Sequence, residues 1–199
     1  MRTPDTMKEE QTRAEIVLAA QQVFQKYGLE KSTMEDIAAV AGKGKSSLYY
    51  YFPSKDDVFY AVAKKESGEV LDAIRIAIGA QTLPSAKLKA LFLTHYHEVR
   101  LKMNLYPAML TDTGKHFALF RRIQRENNTT EVNMFKDILL EGVKCGEFKS
   151  IKEEDCHALA FSMVTMLRGL DANIVIAGEL PPEEIRTDMP IEVFIRGLR

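Results

Sequence analysis

Lys43, Lys45, Ser46, Ser47, Tyr49, Tyr50, Tyr51 and Lys55 fall within one short stretch, and their types suit one chemistry. Ammonium groups neutralise phosphates. Small hydroxyls and flat rings with polar edges probe base edges in a duplex groove. Leu48 and Phe52 are four apart, so they share a helical face that can anchor to a core. The lysines, serines and tyrosines are left largely on other faces. An aromatic patch packed on neighbouring helices is the alternative use of Tyr49-Tyr50-Tyr51, and these residues alone leave both uses open.

Other constellations carry less chemistry. His95 and His97 stand at i and i+2, so on a helix they diverge; a helix-borne zinc pair needs i, i+3 or i, i+4 spacing. A place lining a pocket suits His97 or Tyr96 better. Cys145, Cys156 and His157 are read as a small apolar residue near a helix end plus a surface histidine, rather than a redox or metal set. Arg168 and Asp171 are three apart and can pair along a helix, with Asn173 nearby; pocket or interface polarity and a local salt bridge both fit. Met103, Met109, Met134, Met163 and Met166, with Phe117, Phe120 and Phe161, give the second region adaptable apolar surface, most of it core and some of it suited to a ligand pocket. No Ser/His/Asp set, Gly-rich phosphate loop or zinc motif stands out. No catalytic residue, cofactor or metal is expected.

The elements that position these residues read as helices throughout, with no alternating strand pattern. A first helix is expected from Lys8 to Tyr27, with Ile16, Val17, Ala20 and Phe24 on one face and Gly28 as its stop. Ser32 or Thr33 caps a second, whose first turn holds Glu35 and Asp36 and whose apolar side is Met34, Ile37, Ala38 and Ala41. Gly42 and Gly44 bracket a turn before a short third helix, Lys45 to Tyr51. Ser54 caps a long fourth, on which Val58, Phe59, Val62, Val70, Leu71 and Ile74 are apolar. Further helices are expected over 86–102, 117–148, 155–178 and 190–198.

The chain has 199 residues and 46% hydrophobic content, enough for a buried core. Net charge is −1, and residues 1–60 hold eight lysines and arginines against nine acids. DNA binding by such a chain rests on the placement of Lys43, Lys45 and Lys55, with modest non-specific affinity. Two cysteines make no disulfide framework, and the start lacks the apolar stretch of a signal peptide. No run reaches the length of a membrane span. These features predict a cytoplasmic protein.

Three ordered segments resemble the TetR family of transcriptional regulators. They are Ile16…Ala19-Ala20…Phe24…Tyr27-Gly28, then Ser32-Thr33-Met34-Glu35-Asp36-Ile37-Ala38…Ala41-Gly42, then Leu48-Tyr49-Tyr50-Tyr51-Phe52…Ser54-Lys55. The turn departs from the family pattern: Lys43 replaces an apolar residue, and Gly44 a residue that is often Ser. Lys43 must point outward or bury only its stem. The resemblance implies an all-α homodimer, with a helix-turn-helix DNA-binding domain over 1–54 and a helical ligand-binding and dimerisation domain over 55–199. Thr33, Tyr49 and Lys55 match the family's phosphate-contacting positions. Lys45, Ser46, Ser47, Tyr50 and Tyr51 match its recognition helix. Two-fold symmetry implies a palindromic operator with half-sites about one turn apart.

The reading is therefore a ligand-responsive DNA-binding regulator, a repressor by the family's usual role, released by a small apolar or amphipathic effector. Pocket residues are expected among Tyr96, His97, Met103, Met109, Phe117, Phe120, Met163 and Met166. A four-helix dimer interface is expected from Leu159, Val164, Leu167, Leu170, Ile174 and Phe194. An all-helical small-molecule carrier or enzyme without DNA binding is the competing reading; it leaves Lys45 to Lys55 unexplained. A helical protein-interaction module using the tyrosine patch is a third.

Overall fold

A computed structural model describes residues 4–102, 115–177 and 188–199, and these are helical with short connections. The helices are α1 (Pro4–Lys31), α2 (Met34–Val40), α3 (Lys45–Tyr51), α4 (Lys55–Gly79), α5 (Pro84–Leu101), α6 (Lys115–Lys144), α7 (Cys156–Ala177) and α8 (Met189–Leu198). A 3₁₀ turn, Glu153–Asp155, precedes α7.

The described chain up to Glu66 belongs to one compact unit, so its packing continues past the start of α4. The apolar face of α1 buries Ile16, Ala20 and Phe24; α2 adds Met34 and Ile37, and α3 adds Leu48. Phe52, Val58, Phe59 and Val62 complete this core, and the Phe24 and Phe59 rings meet edge to face at 5.6 Å. Gly28 interrupts α1 with φ 76°. The carbonyls freed there find partners. Ser32 Oγ donates to Gly28 O at 2.5 Å, and Lys55 Nζ donates to Leu29 O at 2.8 Å and Ser32 O at 3.0 Å.

The second unit begins at Ser67 and includes α5, α7 and α8. Its core takes one face from each helix: Leu88, Leu91 and Phe92 of α5; Val132, Phe135 and Leu139 of α6; Ala160, Met163, Val164 and Leu167 of α7; Ile191, Ile195 and Leu198 of α8. Val70 and Ile74 of α4 join it. Gly142 is a close approach: a Cβ there would lie 2.0 Å from the ring of buried Phe148. The chain end is tied down. Ser150 N donates to Leu198 O at 3.1 Å, and the Arg199 guanidinium reaches both Glu147 Oε1 and Ser85 Oγ at 3.1 Å.

Candidate nucleic-acid interface

The geometry of α2 and α3 follows from local chemistry. Thr33 Oγ1 accepts from Asp36 N at 3.1 Å, while the Asp36 carboxylate accepts from Thr33 N at 2.9 Å; this is a reciprocal capping box. Hydrogen bonds from the Thr33 side chain and backbone hold the Asp36 carboxyl below its ordinary value. Gly42 then turns left-handed at φ 62°, a conformation that no Cβ favours. Gly44 N-caps α3 in extended geometry without a side-chain bond, and the helix opens with Leu48 N donating to Gly44 O at 3.0 Å.

Burial sorts the side chains of α3. Leu48 and Phe52 are fully buried, so the helix is fixed by the face that they share. Tyr50 is 74% exposed and Tyr49 42% exposed, and Ser46 beside them is open to solvent. Ser47 and Tyr51 are partly covered. The Tyr50 and Tyr51 rings meet edge to face at 5.1 Å, which orients the more exposed ring.

The cations predicted to meet DNA are held by internal partners. Lys43 pairs with Glu15 at 2.9 Å, its stem partly covered, as a lysine in place of an apolar residue must be. Lys45 forms an ion pair with Glu35 and lies 6.0 Å from the Tyr49 ring centre. Hydrogen bonds from these lysines lower the Glu15 and Glu35 carboxyls below their ordinary values. The Lys55 ammonium rests on the α1 end and the turn after it, so it positions α4 as well as carrying charge.

Arg13 escapes a reading of the sequence. Its guanidinium lies 4.2 Å over the Phe52 ring and donates to Tyr51 O at 2.7 Å. It thereby satisfies a carbonyl at the α3 end from α1. Its partners lie 38 residues or more along the chain, and no local spacing marks it.

In the second unit, a small cavity is lined by Ile74, Leu91, His95, Glu131, Met134, Phe135 and Leu167. Glu131, one of these residues, is paired with Arg168 at 2.6 Å. His95 is buried and His97 exposed, so the histidine facing the cavity is the other of the pair. Tyr96 is buried with no hydrogen-bond partner for its hydroxyl among the described residues, and the Arg100 guanidinium lies 5.6 Å from its ring centre. Met163 is core, and Met166 is half exposed. Met103 and Met109, and the side chains of Phe117, Phe120 and Ile174, lie outside the described residues.

Of the expected interface residues, Val164 and Leu167 are buried in the unit's own core, against which Leu159 and Phe194 are partly buried. Among the described residues, the large apolar side chains that α7 and α8 expose are Phe161, Met166, Leu170, Met189 and Val193. Cys156 is buried, its thiol pushed up in pKa by burial and then by Asp155 and Glu153; Cys145 is exposed. No group of three His, Cys, Asp or Glu among the described residues could hold a metal ion. No described helix is long and apolar enough to cross a membrane.

A helix that buries its anchors, follows a glycine turn and exposes tyrosines defines a helix-turn-helix DNA-binding unit within an all-α protein. Residues 16–62 match the family described as bacterial regulatory proteins, tetR family. This segment is the DNA-binding region of TetR-family transcriptional regulators. The chain is 28% identical over 148 residues to the HTH-type transcriptional repressor KstR2 of Rhodococcus jostii (strain RHA1), covering 73% of this chain and 72% of that one. It is 26% identical over 137 residues to the fatty acid metabolism regulator protein of Bacillus subtilis (strain 168), covering 68% and 70%. A crystal structure of a transcriptional regulator from Cytophaga hutchinsonii ATCC 33406 superposes with a TM-score of 0.71 at 29% identity, covering 92% of each chain.

Proposed function

We propose that the protein is a ligand-responsive repressor that binds a palindromic operator as a homodimer. The exposure of Tyr49 and Tyr50 on α3, while Leu48 and Phe52 anchor the same helix, carries this reading. Lys43, Lys45, Ser46, Ser47 and Tyr51 share the turn and helix that would enter the groove. Thr33 and Lys55 flank them at helix starts, where the positive end of the helix dipole favours phosphate. The domain boundary is proposed at the start of α4, with 1–54 reading DNA and 55–199 binding effector and partner.

The dimer forms through α7 and α8. The exposed Phe161, Met166, Leu170, Met189 and Val193 supply the apolar face, and Leu159 and Phe194 border it. The effector enters the second unit at the cavity beside His95. An apolar or amphipathic molecule suits the Leu91, Met134 and Phe135 side chains that line that cavity. The relative named as a fatty acid metabolism regulator supports an effector with an apolar tail. Release then follows when effector binds one tilt of α4 better than the other; equal affinity for both would shift nothing.

The test is enrichment of random duplexes on the purified protein, with sedimentation of the complex. A palindrome enriched by wild type and lost in Tyr50→Ala, with two chains per duplex, is expected. A folded dimer that enriches no sequence, with or without candidate effectors, refutes the reading.

A further inference from the structure

We infer that Glu15 and Glu35 are internal counter-ions that restrain DNA affinity by occupying Lys43 and Lys45, the two lysines at the start of the recognition helix. This rests on the proposed DNA-binding role of α3. Three observations carry it. The Lys43–Glu15 contact is 2.9 Å and joins α1 to the turn before α3. The Lys45–Glu35 pair joins the first turn of α2 to the first residue of α3. Residues 1–60 hold as many acids as bases and one more, so the unit has little bulk charge with which to attract a duplex.

A phosphate competing for Lys45 must displace a carboxylate already in place and then tolerate it nearby. The exchange is feasible because both partners are largely exposed, and exposed ion pairs are weak. Its effect falls first on the sequence-independent part of binding, since that part comes from phosphate neutralisation. A regulator with its cations occupied in this way stays off random DNA until base contacts from α3 add to the balance. Neither carboxylate belongs to the capping box, which Thr33 and Asp36 form, and glutamine keeps an oxygen that can accept the backbone hydrogen bond that Glu35 makes in the first turn of α2.

The test measures binding of a mixed-sequence duplex against salt for wild type, Glu35→Gln, Lys45→Gln and the double variant. Glu15→Gln with Lys43→Gln forms a second, independent cycle. Each Gln variant at a glutamate is expected to bind up to about fivefold tighter at low salt, the scale of an exposed pair. Its salt slope should steepen by about 0.9, one further phosphate contact. The gain should vanish when the partner lysine is already neutral. Equal gains with and without the lysine would mean general charge repulsion and would overturn the inference while leaving DNA binding intact. No gain in either cycle overturns it too. Failure of wild type and every variant to bind any duplex overturns the DNA-binding reading, and this inference with it.

Discussion

Arg13 gives the sharpest prediction about how α3 is held. Removing its side chain in Arg13→Ala takes away a charged hydrogen bond to Tyr51 O at 2.7 Å and a guanidinium 4.2 Å from the Phe52 ring centre. Exposed cation–π contacts contribute about 0.5–1 kcal/mol. A charge-assisted hydrogen bond contributes about 1.5–3 kcal/mol, and Arg13 is exposed, so solvent takes back much of that. The sum after this discount is about 1–2 kcal/mol. For a chain of this length that lowers Tm by about 2–8 °C. Arg13→Lys keeps the charge but neither the planar stack nor the fork geometry, so it should lie between wild type and Arg13→Ala. Thermal unfolding by circular dichroism reads the stability, and duplex anisotropy reads the positioning of α3. Arg13→Lys losing duplex affinity at constant net charge is the signature of misplacement rather than lost charge. Wild-type Tm and wild-type affinity in both variants would refute the assignment.

Other features give direct tests. Gly142→Ala forces a methyl to within 2.0 Å of the Phe148 ring; overpacking should cost about 1–3 kcal/mol against a helix-propensity gain of at most about 1 kcal/mol. Its Tm should fall and partly recover in Gly142→Ala/Phe148→Leu, and an unchanged Tm would show that the ring has room to move. Thr33→Ala removes the α2 cap and should destabilise by about 1 kcal/mol in urea unfolding; no change in midpoint would contradict the capping box. Asp36 has a lowered folded pKa, so its contribution is complete above the ordinary 3.8 and is lost as pH falls through the lowered value. Acid unfolding of Asp36→Asn should therefore lose less stability below pH 4 than wild type does, and identical acid profiles would remove Asp36 from the account. A thiol reagent should label Cys145 in the native protein and Cys156 only after unfolding; two labels under native conditions would contradict the burial of Cys156.

The DNA-reading half was legible where short-range rules govern. The bounds of α3 follow from Gly42, Gly44 and Pro53, and its buried face from the spacing of Leu48 and Phe52. A cap at Ser32 or Thr33 reads from the sequence, and the structure gives it to Thr33, with Asp36 closing the box. The contacts that set its electrostatics were not legible. Glu15 meets Lys43, and Arg13 meets Phe52, only after the chain turns twice. Lys55 reads as a free cation, yet its ammonium completes the hydrogen bonding of the α1 end.

The second unit was less legible for a different reason. Helix α7 is apolar on most of its circumference, so periodicity did not choose which side faces inward. Packing turned Val164 and Leu167 into the core and left Phe161 and Met166 outside. His95 and His97 present the same ambiguity, and only the placement of α5 decides that His95 is buried.

The proposed role of α3 is to read DNA through its exposed tyrosines. The most direct measurement is the affinity of the selected operator, and of a scrambled duplex of the same composition, for wild type, Tyr49→Ala and Tyr50→Ala at fixed salt. Both substitutions should weaken operator binding far more than scrambled-duplex binding, with Tm unchanged. Operator and scrambled duplex bound equally well by wild type, or a preference that survives both substitutions, would contradict it.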